Sequence, residues 1–271
     1  KFYTIGAGVG GSGQVAVQGA ASISQINKTV NASMENTNIN SEEDLEERQT
    51  DLNIIAKSTG EVTSNASVIG GAGTAAIGAG TAVNNITQNT IANINGGVQK
   101  DIEDALVKSQ SLANITTIGI GGTGAGTVGI TGSVAVNQIN NNTKTTVANN
   151  TLTANRSVGA IAQSDDVISN YAGTLAGGGT AAIGASVSVN QISGDTLVTL
   201  NNANITANGN GNGIEVNSKI EDNSIIDSII DEETAQLGNN LDSKRKTEPI
   251  KGIVIDSSAT HTLKSLLANG G

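Results

Sequence analysis

The chain of 271 residues contains no cysteine, which excludes disulfide bridges and thiolate metal sites. Proline occurs once, at Pro249, and the only aromatic residues are Phe2, Tyr3 and Tyr171. A globular core of this length normally uses more large side chains, so an ordinary globular domain does not fit this composition. No apolar run reaches the ~18 residues of a membrane-spanning helix. No signal peptide is present, and we expect the chain to be a segment of a longer protein.

The net charge of −10 argues against nucleic acid or anionic lipid as the main partner. Hydrophobic residues make up 37% of the chain, and they are mostly small or β-branched and regularly patterned. A disordered chain does not need such patterning. The composition therefore predicts an ordered, narrow core of Ala, Val and Ile.

The sequence repeats itself. Four similar segments of glycine, alternating residues and an Asn/Gln-Ile step begin at Gln14, Thr74, Thr127 and Thr180. Their isoleucine anchors are 60, 53 and 53 residues apart: Ile26, Ile86, Ile139 and Ile192. Self-similarity at a nearly fixed period predicts an architecture of stacked repeats.

Each copy begins with a strand of period 2. In the fourth copy, residues 181–189, the odd positions are Ala, Ile or Val and the even positions are small or polar. Because matching positions keep their size class between copies, we predict that they stack in core columns. The predicted core columns contain Val15, Val17, Ile23, Ile77, Val83, Ile130, Val134, Val136, Ile183, Val187 and Val189. A second strand follows each anchor, and a third carries Ile55, Val107, Ile161 and Val216.

Coiling the chain so that like strands pair in parallel buries all these columns at once. We therefore predict an all-β parallel β-helix (β-solenoid), a single segment over residues 1–271. Its repeats span about 4–56, 57–109, 110–162 and 163–218, followed by an insertion at 219–250 and a partial repeat at 251–271. Two or three coils per repeat predict a rod on the order of 50–70 Å long. Glycine runs supply positive-φ corners or close approaches of neighbouring coils, and Asn84, Asn137 and Asn190 form a stacked amide ladder.

Insertions interrupt the period and are expected to project from one face. Residues 41–48 have a capping-box pattern typical of a short helix, and residues 97–106 also have a helical pattern. Residues 219–250 carry acidic and basic clusters. Because recognition residues concentrate in such insertions, the candidates are Glu42, Glu43, Glu46, Asp101, Glu103, Asp231, Glu232, Lys244 and Arg245.

Motifs that suggest chemistry have simpler explanations. Two G-x-G-x-x-G matches precede strands instead of opening helices, which excludes a dinucleotide site. His261 is the single histidine. A Ser-His-Asp triad would have to combine it with Asp256 and Ser257 or Ser258, but no nucleophile-elbow motif is present. Asp165 and Asp166 are interpreted as a solvated turn. We expect no enzyme activity, no metal and no cofactor.

The segments GGGTAAIGASVSVNQISGDTLVTLNNANITANG and GAGTAAIGAGTAVNNITQNTIANING resemble repeats of the large leukotoxin-type filamentous adhesins of Gram-negative bacteria. Those proteins resemble filamentous haemagglutinins and leave the cell by two-partner secretion. The resemblance implies a right-handed β-helix that is secreted or displayed on the outer cell surface. It also implies host-cell attachment or cytotoxicity, a host receptor of protein or glycan type, and an outer-membrane transporter that acts through regions outside this segment. A direct membrane span and a nucleic-acid partner are not expected.

Two alternatives stay open. Some β-helix proteins are carbohydrate-active enzymes, but these usually need aromatic platforms, which this chain lacks. The head of a trimeric autotransporter has similar strands. Its repeat of about fourteen residues and its coiled-coil stalk differ from the 53-residue spacing here, where no heptads occur.

Overall fold

The structure is a computed structural model that describes residues 1–40, 50–220 and 245–271. These residues form strands and corners and contain no helix. The thirteen strands are β1 Phe2–Ser12, β2 Val15–Glu35, β3 Leu52–Ala72, β4 Ala75–Asn95, β5 Val98–Ala125, β6 Val128–Ala148, β7 Thr151–Gly178, β8 Ala181–Ser193, β9 Thr196–Asn201, β10 Asn204–Ala207, β11 Ile214–Ile220, β12 Arg245–Ile250 and β13 Ile253–Gly270.

The long strands form two parallel sheets, and the chain alternates between them. Sheet A has the order β1-β3-β5-β7, with β10 and β13 also paired to β7, and sheet B has the order β2-β4-β6-β8, with β9 also paired to β6. Val15 pairs with Ala75 and Ala75 with Val128, offsets of 60 and 53 residues. These offsets equal the spacings of the isoleucine anchors, so the prediction of parallel all-β pairing between repeats is confirmed.

Each repeat supplies one long strand to each sheet, so the prediction of two or three coils per repeat is wrong. The first three anchors do not separate two strands, because Ile26, Ile86 and Ile139 lie within the uninterrupted strands β2, β4 and β6. In the fourth copy the predicted second strand is separate, since β9 begins after a break that follows Ile192. β5 and β7 are 28 residues long, which corresponds to roughly 90 Å at ~3.3 Å per residue. About five stacked rungs extend only ~20–25 Å at ~4.8 Å per rung. The described strands are therefore much longer than their stack is tall.

The predicted core columns face outward, and this part of the interpretation is wrong. Val17 and Ile23 are each 73% exposed. Val15, Ile77, Ile130, Val134, Ile183, Val187 and Val189 are also exposed, and Val83 and Val136 are half-buried. The reason is parity: on a continuous strand Val83 and Ile86 lie on opposite faces. The column of isoleucine anchors faces the core, and Ile86 and Ile139 are fully buried.

The interior changes character along the strands. Near the corners that join β1 to β2, β3 to β4, β5 to β6 and β7 to β8, the inward positions are mainly Gly, Ala, Ser, Thr and Asn. Further along they are large aliphatic residues: Val62, Ile86, Ile94, Ile102, Val107, Ile115, Ile139, Leu152 and Ile168. We name the end at these corners, where the inward side chains are small, the thin edge, and the opposite end of the strands the thick edge. The third strand was predicted to align Ile55 with Val107. In the structure the partner of the buried Val107 is Ile54, and Ile55 points outward.

Glycines at the thin edge allow the two sheets to touch. A Cβ on Gly129 would lie 2.3 Å from the carbonyl oxygen of Gly177, and a Cβ on Gly8 would lie 2.5 Å from that of Gly19. None of the glycines in the runs 8–13 or 177–179 has a positive φ. The predicted close approach of neighbouring coils is confirmed at the corners, where a Cβ on Gly179 would lie 2.3 Å from the carbonyl oxygen of Gly126. The positive-φ role at these runs is wrong.

The insertion at residues 97–106 is strand, not helix. β5 pairs with β7 through this region, with register shifts on both sides of Ile102. The first shift is one extra residue in β5 before Ile102 and the second is one extra residue in β7 after Ala154. Across these shifts Gln99, Ile102 and Ala105 lie on the inner face at intervals of three. Because each bulge shifts the phase by one residue, a bulged strand imitates the i, i+3 spacing of a helix. The predicted helix at residues 41–48 lies outside the described residues.

An antiparallel pair joins β11, which begins before the departure predicted at residue 219, to β12, which lies near its end. Ile214 and Val216 of β11 pack on the outer side of sheet A against Ile161 and Val254. The repeat then resumes, because β13 pairs in parallel with β7 from Ile253 to Gly270.

Candidate functional site

Among the described residues, an extended apolar surface covers the outer side of sheet B near the thin edge. We name it the aliphatic face and define it by twenty outward positions in β2, β4, β6 and β8. They are Val15, Val17, Gly19, Ala21, Ile23, Ala75, Ile77, Ala79, Thr81, Val83, Val128, Ile130, Gly132, Val134, Val136, Ala181, Ile183, Ala185, Val187 and Val189. Thr81 is the single polar member. Contiguous exposed apolar surface of this kind marks an interaction site.

Charge is divided along the strand direction. Residues 2–27, 62–99, 109–143 and 167–194 contain no charged side chain and no histidine. The pairing registers bring these four segments together around the thin edge. The half of the molecule around the thin edge is therefore nearly free of formal charge, and the charged residues lie toward the thick edge.

A polar ladder joins the rungs inside the charge-poor half. The Asn84 side-chain amide donates to Asn137 Oδ1 at 2.9 Å, and the Asn137 amide donates to Asn190 Oδ1 at 2.8 Å. Thr117 of sheet A donates to the same Asn137 oxygen at 2.6 Å. The predicted amide ladder is confirmed. Because its members are buried or half-buried between the sheets, it holds the fold and does not offer a binding surface.

Asp166 and His261 form the most chemically distinctive pair among the described residues. They are register partners on β7 and β13, and His261 Nδ1 lies 3.5 Å from Asp166 Oδ2. Asp166 also accepts hydrogen bonds from Asn141 Nδ2 at 2.6 Å and Ser164 Oγ at 3.2 Å. Its side chain is 1% exposed, so the interpretation of Asp165 and Asp166 as a solvated turn is wrong: both lie within β7 and are buried.

The pair does not form a hydrolytic triad. The hydroxyl of Ser164 contacts the carboxylate rather than the imidazole, and a nucleophilic serine must give its proton to the histidine. Asp256 and Ser258 pair with Ile161 and Gln163 and so share the outward side of β13, opposite to His261. Burial raises the pKa of Asp166 to about 6, and the Asn141 hydrogen bond, the His261 charge and the Ser164 hydrogen bond oppose this rise.

We expect Asp166→Asn to stabilise the protein at pH 7. The folded protein holds its proton on Asp166 up to a pKa of about 6, above the ordinary value of 3.8, so stability contributed by this group is lost as the pH rises between about 4 and 6. A shift of this size corresponds to roughly 2–3 kcal/mol at pH 7. Urea melts between pH 3.5 and 7.5 measure it. A variant with the same pH profile as the parent chain contradicts the assignment.

The acidic bulge lies at the thick edge. Asp101 is exposed with φ of 57°, and Glu103 accepts from Arg156 Nε at 2.8 Å and from Asn155 at 3.2 Å. Asp104 also lies 3.6 Å from Arg156 Nη1. Of the two predicted recognition residues here, Asp101 presents a free surface position, whereas Glu103 is engaged with the next rung.

The remaining predicted recognition residues are not placed by the described side chains. Glu42, Glu43, Glu46, Asp231, Glu232 and Lys244 lie outside the described residues, and Arg245 is described only as the first backbone position of β12.

A polar groove of about 490 Å³ runs along the thick-edge corners. Its lining residues are Gly97, Val98, Asn149, Asn150, Thr151, Asn202, Ala203 and Asn204. Asn149 and Asn202 have φ of 50° and 49°, and the side chain of Asn202 donates to that of Asn149 at 3.2 Å. The groove presents amide and backbone hydrogen-bonding groups without a charge, which suits a neutral polar ligand such as a glycan hydroxyl. Sequence reasoning missed it, although the repeated Asn-Asn steps at 149–150 and 201–202 are its signal.

Within the described ranges, no group of three or more His, Asp or Glu side chains is arranged to hold a metal ion. No described helix has the length and apolarity to cross a membrane. Comparisons with known proteins give no assignment: no family model, no curated protein and no solved structure matches this chain.

Proposed function

We propose that the chain is a segment of a right-handed parallel β-solenoid in a large secreted or surface-displayed bacterial adhesin of the leukotoxin type. In this role it is a non-enzymatic scaffold that presents binding elements for host-cell attachment or cytotoxicity. Export uses a two-partner transporter that acts through other regions. The repeat consensus supports this proposal, and so does the in-register parallel pairing of successive repeats.

The observation that carries the scaffold role is the stacking of corners as well as strands. Thr74 N donates to Gln14 O at 2.9 Å, and Thr180 N donates to Thr127 O at 2.9 Å. Each rung thus templates the next through the main chain. Crossovers between parallel strands of one sheet are right-handed in about 98% of cases, which supports the right-handed winding.

The thick edge is the side that we propose for recognition. It carries the exposed Asp101 and the polar groove, and β11 packs on the outer side of sheet A further along β7. The contact between the exposed His261 and the buried Asp166 has no place in this role beyond joining β13 to β7. A host glycan or a polar protein surface is the receptor chemistry that fits the uncharged groove.

Binding of the fluorescently labelled chain to host epithelial cells and leukocytes tests this proposal. We expect saturable binding that falls at least about tenfold when residues 221–244 are replaced by a short Gly-Asn turn and Asn149 and Asn202 are both changed to Ala, since hydrogen-bonding sites lose strongly when their partners are removed. The matched control changes Asn65, on the outer side of sheet A near the thin edge, to Ala. Equal, background-level binding of all three proteins contradicts a recognition role and reduces the segment to a spacer.

A further inference from the structure

The aliphatic face has an ordered relief that runs along the stack of rungs. One column of large side chains forms a ridge, Val17, Ile77, Ile130 and Ile183. The next outward column is small and forms a groove, Gly19, Ala79, Gly132 and Ala185. Ridge and groove are about 6.6 Å apart, because outward positions repeat every two residues.

We propose that this face binds the same face of a second copy of the chain. A two-fold axis that runs along the stack, between the ridge and the groove, places each ridge over the groove of the other copy. An isologous interface of this kind needs a surface that is complementary to itself, and the paired columns supply it. The result is a dry interdigitated contact between two sheets about 10 Å apart.

The size of the face fits a dimer. Four strands ~4.8 Å apart and nine residues of ~3.3 Å cover about 19 by 30 Å, or on the order of 1,200 Å² for two copies together. That lies at the low end of standard protein interfaces, about 1,200–2,000 Å². The absence of any charged residue from residues 62–99 and 109–143 removes the desolvation cost that usually opposes such contacts.

The outer side of sheet A near the same edge does not share this property. Its columns pair polar with aliphatic side chains, Asn65 with Ile118 and Ser67 with Ile120. Ridges of uniform size are therefore missing there, and polar side chains interrupt the apolar surface. This contrast assigns the contact to sheet B and provides a matched control position.

The test is sedimentation equilibrium of the full chain at micromolar concentrations. We expect the parent chain to dimerise and Ile130→Asp to weaken association roughly 100-fold or more, because an unpaired charge is then buried at the centre of the interface. Ile120→Asp is the control: it places the same charge on sheet A, where Ile120 is 53% exposed compared with 37% for Ile130. It is expected to dimerise like the parent. Ile77→Asp is a second interface variant, and circular dichroism checks that all variants remain folded.

A label provides an independent readout. The chain has no cysteine, so Ala79→Cys and Ser67→Cys each carry one nitroxide, and only the first is expected to show short intermolecular distances. A parent chain that stays monomeric, or one whose association is lost in Ile120→Asp and kept in Ile130→Asp, overturns the proposal. Monomers that instead bind phosphatidylcholine vesicles, with binding lost in Ile130→Asp, assign the face to lipid and also overturn it.

Discussion

Ala135→Asp is expected to unfold the protein, whereas Val134→Asp one residue earlier leaves it folded. Ala135 is fully buried between the sheets, and Val134 is 40% exposed on the aliphatic face. None of the described buried residues is Lys, Arg or His. The carboxylate introduced at position 135 is therefore buried without a cation among them, which costs at least about 3 kcal/mol even after relaxation. At position 134 the carboxylate stays in water, and the expected change is within about 1 kcal/mol.

Guanidinium melts of both variants at low protein concentration, where monomers dominate, measure this difference. The comparison is sharp because both residues lie in the middle of β6, a strand paired on both sides with β4 and β8. If Val134→Asp loses stability and Ala135→Asp does not, Val134 must face the core, as the sequence pattern alone predicts. That result contradicts the orientation of sheet B.

Gly129→Ala is expected to destabilise the protein by roughly 2–4 kcal/mol, since overpacking against a fixed backbone forces strands to move. The new methyl group would lie 2.3 Å from the carbonyl oxygen of Gly177, and backbone atoms cannot rotate away. Gly132→Ala on the same strand is the control, because its methyl group would meet only Ala185 O at an ordinary 3.8 Å. It should be neutral or stabilise by about 0.4–1 kcal/mol through the unfolded chain.

Thermal and denaturant melts of the two glycine variants answer the question, and amide hydrogen exchange locates the damage. We expect faster exchange in β6 and β7 near the thin edge for Gly129→Ala alone. Equal stability of the two variants contradicts contact between the backbones of the two sheets at this edge.

The repeats were predictable from the sequence because register in a parallel stack is a sequence offset. The distance from Ile86 to Ile139 is 53 residues, and these two residues are register partners. The amide ladder was predictable for the same reason, since Asn84, Asn137 and Asn190 share that offset.

The inward face was not predicted, because the rule that apolar side chains face the core was applied to half a strand. Val83 and Ile86 are separated by an odd number of residues, so a continuous strand cannot bury both. The number of coils per repeat was also mispredicted, because one long strand was interpreted as two shorter ones. The two register shifts, one on each side of Ile102, give the buried Gln99, Ile102 and Ala105 the spacing of a helix. Asp166 and His261 are paired because β13 resumes the stack after the departure. Their register offset is 95 residues, which differs from the repeat spacing and so could not be predicted from it.

The two kinds of corner have different consequences for protein engineering. The thin-edge corners are two residues each, Gly13-Gln14, Gly73-Thr74, Gly126-Thr127 and Gly179-Thr180. At the opposite end the spacing between β2 and β4 is already seven residues longer than that between β4 and β6. Epitope tags or foreign peptides should therefore be tolerated between β2 and β3, where the chain already carries these extra residues without a change in how the strands align. The same graft at Gly126–Thr127 should abolish expression of folded material.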